Sequence, residues 1–380
     1  MSHLRPVPRF ARLRGNFDEG NFGDDALLLA CTSLLRGKVK LAQVETNVAY
    51  YDDRMHDFFA PSNQLIAPDI IIYGGGTQFF SFSTSEPTAM RSVLSRVTKK
   101  ILSPTSLITS YRARSDSARN KLIPKVAIGL GVGPFDNAVA AQQAAGLLRQ
   151  MELVWVRDAH SEHFCRSYDV PNVISSSDLC FTEAFAQITT PRSGRERSGA
   201  EPLKIGIILR DWKDLCASFF RRQAALASKL RTSGHEVTFL SLSKHDDFYL
   251  GEMATLGETV RVWDAKSELL EDFWALIAAQ DLMVTSRFHG AIFSLLSSTP
   301  FIAIEIEPKL SNLREMVPEL GDFAVDPSTD VDTMHHAVEA LLARREGILP
   351  ALDRALMEQR LRARAGEDAL KSYFEDEAQK

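Results

Sequence analysis

The chain has 380 residues, 45% of them hydrophobic and 24% charged, with a formal net charge of -5. That length exceeds what one core usually holds, so two domains are expected, and the composition excludes a mainly disordered or fibrous chain. The negative charge argues against a generic nucleic-acid binder, and no window approaches the roughly 20 apolar residues of a membrane span. Four cysteines, at 31, 165, 180 and 216, show neither a CxxC pair nor metal-type spacing, so reduced thiols and no metal site are expected. Arg5, Arg9, Arg12 and Arg14 precede no apolar stretch of the signal-peptide kind. A cytoplasmic protein is the expectation, with any membrane contact confined to the periphery at the inner face.

Short apolar runs alternate with helical stretches, the pattern of α/β architecture with parallel sheets. Phe10 to Arg14 is the first predicted strand. Gly20-Asn21-Phe22-Gly23-Asp24-Asp25 follows it and opens a helix predicted over Asp25 to Leu35. Asp24 and Asp25 then stand at the helix start, where an aspartate caps the helix or meets its dipole. One of them, Asp24, is also a candidate to accept a proton from a bound hydroxyl.

A strand predicted over Ile70 to Tyr73 ends in Gly74-Gly75-Gly76-Thr77, and one over Val126 to Leu130 ends in Gly129-Leu130-Gly131-Val132-Gly133-Pro134. Neither run has the Lys-Ser/Thr of a P-loop, and the first lacks the spacing of a dinucleotide fingerprint. Bare backbone at Gly75, Gly76 and Gly131 fits a tight turn or a surface that a ligand approaches closely. Between them, residues 80–121 carry eight Lys and Arg against Glu86 and Asp116. That stretch reads as a solvated face or as a basic surface for an anionic acceptor or bilayer. A helix is predicted over Ala138 to Gln150, and a strand over Leu153 to Val156 closes on the charged pair Arg157-Asp158. Ser176-Ser177-Asp178 reads as a turn.

Residues 191–202, polar and glycine-bearing, read as a linker between units 1–190 and 203–380. Beyond it, strands are predicted over Lys204 to Leu209, Val237 to Ser241, Arg261 to Trp263, Leu282 to Thr285 and Phe301 to Ile306. Helices are predicted over Leu215 to Thr232, Leu269 to Ala279, Ala291 to Leu296 and Met334 to Ala343. Arg210 closes the first of these strands. Ser286-Arg287-Phe288-His289-Gly290 places a guanidinium and an imidazole where strand becomes helix, at the carboxyl edge where open parallel sheets bind ligands and helix N-termini favour anions. Arg287 supplies a planar fork for carboxylate or phosphate, and Gly290 admits close backbone approach.

Taken together, these landmarks resemble the polysaccharide pyruvyl transferase family. The carriers are GNFGDDALL at 20–28, DIIIYGGGT at 69–77, IGLGVGP at 128–134, VRD at 156–158, SSDL at 176–179, IGIILR at 205–210 and TSRFHGAIF at 285–293, followed by Lys309. The resemblance implies two Rossmann-like doubly wound domains facing a cleft in the GT-B manner, with 1–190 on the acceptor side and 203–380 on the phosphoenolpyruvate side. It implies an enzyme that moves the enolpyruvyl group of phosphoenolpyruvate onto two hydroxyls of a sugar, closing a cyclic ketal and releasing phosphate. No metal and no cofactor beyond that donor substrate is implied. Carried over residue by residue, it implies Arg210, Arg287 and His289, with the backbone around Phe288 and Gly290, as donor contacts, and Lys309 as a basic residue after the next strand.

The chemistry suits those residue types: two arginines and a helix N-terminus neutralise the donor, a histidinium protonates C3, and a carboxylate takes the hydroxyl proton. His289 is assigned the first proton transfer and Asp24 the second. Asn21, Gly75, Gly76, Gly131 and Arg157 complete the expected binding set. Where many relatives carry an aspartate shortly before the lysine, this chain has Glu305 and Glu307. The expected acceptor is a sugar or lipid-linked oligosaccharide of a surface polysaccharide or cell-wall glycan precursor, with no nucleic-acid partner and the oligomeric state left open. A GT-B nucleotide-sugar glycosyltransferase is the alternative function. A non-catalytic carbohydrate-binding protein on the same fold is the second.

Overall fold

The computed structural model describes residues 10–17, 19–39, 41–44, 48–58, 67–81, 123–190, 201–213 and 215–379. The expected linker, apart from Glu201 and Pro202, and the basic segment, apart from Phe80 and Ser81, lie outside the described residues.

Strands β1 (Phe10–Arg14), β2 (Leu41–Val44), β3 (Ile70–Phe79), β4 (Lys125–Val132), β5 (Leu153–Val156) and β6 (Val173–Ser175) form one parallel sheet in the order β2-β1-β3-β4-β5-β6. Strands β7 (Lys204–Ile208), β8 (Glu236–Ser241), β9 (Val260–Val262), β10 (Leu282–Thr285) and β11 (Phe301–Ala303) form a second, in the order β11-β10-β7-β8-β9. Every pairing is parallel. The near-continuous apolar runs of β4, β5 and β10 are buried throughout, as strands covered on both faces must be. Strand order reverses between β1 and β3 in the first sheet and between β7 and β10 in the second. Those switch points open a crevice at the carboxyl edge of each sheet.

Two expectations about the glycine runs are corrected. The strands do not stop at Tyr73 and Leu130. They continue to Phe79 and Val132, because Gly76 pairs with Leu130 and Thr77 with Gly131 across the ladder. Gly75, Gly76 and Gly129 take φ values of +64°, +71° and +64°, so the backbone kinks within the sheet instead of turning out of it. The strands β2 and β6 were not expected at all; both are short.

Helix α1 (Phe22–Leu35) is apolar on almost every side, and twelve of its residues are buried. A helix of that composition needs cover all round. It packs on the first sheet, and its Phe22 ring meets Trp263, Phe273 and Phe293 of the second half at centroid distances of 5.2, 5.1 and 4.6 Å. Among the described residues the first half also carries helices α2 (Ala138–Leu148), α3 (Ala159–Ser167) and α4 (Glu183–Ile188). The second carries α5 (Ala217–Thr232), α6 (Asp247–Thr255), α7 (Leu270–Ala278), α8 (Phe288–Leu296), α9 (Asn312–Met316) and α10 (Val331–Ala343).

Helix α11 (Arg345–Gln379) leaves the second half and returns to the first sheet. Ser176 Oγ and Ser177 Oγ donate to the carbonyls of Arg362 and Gln359, both at 2.8 Å. Gly366 lies flat on the Trp155 ring, where a Cβ would meet it at 2.3 Å. The unit 203–380 thus contains a helix whose far end belongs to the other sheet. Among the described residues no helix is long and apolar enough to cross a membrane.

Asp25 joins the two halves. It is fully buried, and its Oδ2 accepts a 2.8 Å hydrogen bond from Trp263 Nε1, while Oδ1 has no partner. Burial pushes this carboxyl up to about 7, against the pull of the Trp263 bond and with help from Asp24. The folded state therefore holds the proton more tightly than the unfolded chain does. Stability from this group is full below the ordinary carboxylate range and is lost as pH rises towards about 7, by up to about 4 kcal/mol. Asp25→Asn keeps an acceptor for Trp263 and carries no charge. Its thermal midpoint should exceed the wild-type value at pH 8 and converge with it near pH 4; parallel curves across that range would refute the assignment.

Candidate active site

The carboxyl edges of the two sheets enclose a cleft of about 330 Å³. On the second half, Arg210 follows β7 and Arg287 follows β10, the two strands that flank the switch point, with Ile208 and Thr285 in register. Arg287 is also the residue preceding α8. Its backbone is fixed by Thr285, whose Oγ1 accepts from Arg287 N at 3.1 Å and donates to Arg287 O at 3.0 Å. Gly290 makes that turn possible. A Cβ there would sit 2.3 Å from Thr285 Oγ1, so Gly290 underpins the turn and does not line the cleft.

The Arg287 guanidinium is buried and paired with Asp246, which also accepts from Ser241 Oγ at 2.9 Å and from Asp211 N at 3.1 Å. Arg210 lies over the Trp212 ring at 4.8 Å and donates to Glu307 Oε1 at 3.0 Å. The same oxygen takes Lys309 Nζ at 3.0 Å. Burial pushes the Lys309 ammonium down; Glu307 opposes this, while Arg210 and Arg157 add to it. The acidic partner expected from an aspartate before the lysine is thus supplied by Glu307. Glu305 instead pairs with Arg314.

On the facing half, Asn21 lines the cleft and caps α1, its Oδ1 accepting from Gly23 N at 3.0 Å. The cap is therefore Asn21 and neither aspartate, which leaves Asp24 on the first turn, in the cleft wall. Burial raises the Asp24 carboxyl, with His289 and Lys309 pulling it back. Gly76 passes beside it, where a Cβ would lie 3.5 Å from Asp24 Oδ1. Gly75 packs against Leu27 of α1, away from the cleft. Gly131 leaves room for the Arg157 guanidinium, which a Cβ would meet at 2.9 Å. Arg157 donates to Asp178 Oδ2 and Thr77 Oγ1, both at 3.1 Å, and lies 4.8 Å over the Phe288 ring of the opposite half.

His289 stands where the halves meet. Its Nε2 is buried 3.7 Å from Asp178 Oδ2, and Nδ1 lies beside the bare backbone of Gly23. Burial disfavours a charged Asp178, yet His289 and Arg157 outweigh it and hold this carboxyl well below the usual range. Asp178, Cys180 and His289 are close enough to suggest a metal-binding set. The donor chemistry argues otherwise: Asp178 Oδ2 already accepts from Arg157 and Oδ1 from Cys180 N.

The structure thus gathers Arg157, Arg210, Arg287, Lys309, His289 and Asp24 around one cleft, together with Asn21, Gly76 and Phe288. It leaves Gly75 and Gly290 behind the wall and sets Gly131 beneath Arg157. Sequence reasoning missed Gly23, Asp246 and Trp212, and took Asp178 for a turn residue. Asp178, Trp212 and Asp246 share one signal, a position a few residues past a strand end, whereas Gly23 lies in the first turn of α1. Arg157 and Arg287 reach the cleft wall already tied to carboxylates, Arg157 to Asp178 and, through Nε at 3.5 Å, to Asp158, and Arg287 to Asp246.

Comparison with known proteins agrees with this architecture. The chain is similar to a putative UDP-N-acetylglucosamine 2-epimerase from Listeria monocytogenes, with 10% identity over 97% of each chain and a TM-score of 0.56. The MnaA protein of S. aureus, solved with UDP, matches at 10% identity over 94% of each chain with a TM-score of 0.55. The glycotransferase of kitacinnamycin matches at 12% identity over 98% of this chain and 100% of its own, with a TM-score of 0.51. At such identities the likeness carries the fold alone, and that fold is the expected pair of Rossmann-like domains in the GT-B arrangement. No curated protein matches the chain in sequence. The family model for polysaccharide pyruvyl transferase matches residues 21–308, from the helix cap at Asn21 to the residue before Lys309. The chain is therefore a transferase and belongs to the polysaccharide pyruvyl transferase family.

Proposed function

We propose that the chain transfers the enolpyruvyl group of phosphoenolpyruvate to two hydroxyls of one sugar. The observation that carries this reading is the cluster of Arg210, Arg287, Lys309 and Arg157 about His289 in one cleft at the β7/β10 switch point. Phosphoenolpyruvate presents two anionic groups on a small rigid frame, and a cleft with several fixed cations matches both. The carboxylates Asp246 and Glu307 hold those cations in place before the donor arrives.

In this reading His289 gives a proton to C3, converting the methylene to a methyl group as C2 becomes electrophilic. Asp24 takes the proton of the first sugar hydroxyl, whose oxygen bonds to C2. Its raised affinity for a proton makes it a stronger base than an ordinary aspartate. The second hydroxyl then bonds to C2 as the C2–O bond to phosphate breaks. Of the two hydroxyl protons, one replaces that given to C3 and the other leaves on phosphate, so no oxidant or reductant is needed. The acceptor is a sugar of a surface polysaccharide or cell-wall glycan precursor, lipid-linked or free.

Incubating the protein with phosphoenolpyruvate and candidate saccharides in D₂O tests the reading. Acceptor-dependent phosphate release is expected, with deuterium entering the new methyl group. Turnover of a nucleotide sugar by a preparation that releases no phosphate with any acceptor would replace it with glycosyl transfer.

A further inference from the structure

We propose that Asp178 positions the imidazole of His289 through Nε2, which leaves Nδ1 as the nitrogen that delivers the proton. The proposal rests on the role given to His289 above. Asp178 is 1% exposed and follows β6 of the first sheet, whereas His289 is on the first turn of α8 in the second half. Three contacts define the carboxylate. Oδ1 accepts from Cys180 N at 3.2 Å, Oδ2 accepts from Arg157 at 3.1 Å, and the same Oδ2 lies 3.7 Å from His289 Nε2. That last gap is within ion-pair reach and exceeds a hydrogen bond by about 0.5–1 Å.

The other side of the ring fixes the choice of nitrogen. Nε2 is buried and has no other partner, so it cannot reach a molecule in the cleft. Nδ1 flanks Gly23, next to Asp24, and His289 lines the cleft. A histidine held by a carboxylate at one nitrogen and working through the other is a recurrent solution to orienting an acid or base. Here carboxylate and imidazole come from opposite halves. The proton donor is correctly aimed only when the two sheets are in register, and Arg157, bonded to Asp178 and stacked on Phe288, reports the same register.

Asp178→Asn tests this: asparagine keeps an acceptor for Cys180 N, removes the charge and turns an amide NH2 towards His289 and Arg157, which retains its bond to Thr77 Oγ1. Turnover is expected to fall roughly tenfold or more with KM for phosphoenolpyruvate little changed. In a His289→Gln background the same substitution should cost nothing further, whereas a merely structural role would cost the same in both. With histidine labelled with ¹⁵N, the His289 Nε2 signal should move between wild type and Asp178→Asn with no substrate present. In the wild type, Nδ1 should respond to added phosphoenolpyruvate. Additive losses, an unmoved Nε2 signal, or a donor response at Nε2 in place of Nδ1 would each overturn the proposal. The substrate-free spectrum does not depend on which donor is used, so absence of phosphate release would count against the proposed function alone. Should Asp178→Asn not fold, the wild-type response to phosphoenolpyruvate still decides between the two nitrogens.

Discussion

The His289→Ala variant is expected to lose turnover by a factor of about 10² to 10⁴ while still folding and still binding phosphoenolpyruvate. In the proposed reaction donor affinity is assigned to Arg210, Arg287, Lys309 and Arg157, and none of these bonds to the imidazole. Removing the ring strands no buried group outright, because Asp178 keeps Arg157 at 3.1 Å and its cap to Cys180 N at 3.2 Å. The space left behind adjoins the cleft, where water enters, so the cost of a sealed apolar cavity does not apply. The loss should therefore appear in kcat, with KM and the dissociation constant for phosphoenolpyruvate near their wild-type values. Phosphate release and calorimetric titration measure the two. A variant that keeps turnover within a few-fold of wild type would remove His289 from the role of acid. One that folds but no longer binds the donor would make it a binding residue.

How much of this site was legible in the sequence depends on what each residue needed from the fold. The strands β5 and β10 are legible from apolar runs alone, because a strand buried on both faces leaves an unbroken run, whereas β1 alternates buried Ala11 and Leu13 with half-buried neighbours. Arg210 and Arg287 were legible as charged residues just past such runs. That they face one ligand depends on β7 and β10 being neighbours, and strand order is not written in local pattern. Glycine misled twice. In β3 and β4 it lies inside the ladder, where pairing between two glycine-bearing strands holds backbone that reads locally as a turn. Asp178 was hidden for a different reason: its partner His289 is 111 residues away and in the other half, so only the assembled cleft reveals what the carboxylate does. The return of α11 to the first sheet was equally invisible, since Gly366 against Trp155 is a fit between distant surfaces.

The same dependence on distant surfaces makes Gly23 the most informative position to alter. Gly23→Ala is expected to lower turnover by about 10²-fold, approaching the loss on removing His289, with thermal stability close to wild type. The helix itself has no objection to alanine. Position 23 is in the first turn of α1, its N–H bond to Asn21 Oδ1 at 3.0 Å is retained, and alanine is favoured over glycine in a helix by up to about 1 kcal/mol. The conflict is with the imidazole. A Cβ at 23 would lie 2.2 Å from His289 Nδ1, 2.5 Å from Cγ and 2.9 Å from Cβ, all inside van der Waals contact. The ring can retreat towards Asp178, 3.7 Å from Nε2 on its other side, by only about 0.5–1 Å before hydrogen-bond distance, too little to clear a Cβ at 2.2 Å. Nor can α8 shift beneath it, because Gly290 is wedged against Thr285 and Ile208. The side chain has to change rotamer, which takes Nδ1 away from the donor while leaving both helices in place. Turnover and thermal unfolding measured on one preparation check this. A folded variant with near wild-type turnover would mean that the ring can work from a different orientation, and the pairing of Gly23 with His289 would lose its functional meaning.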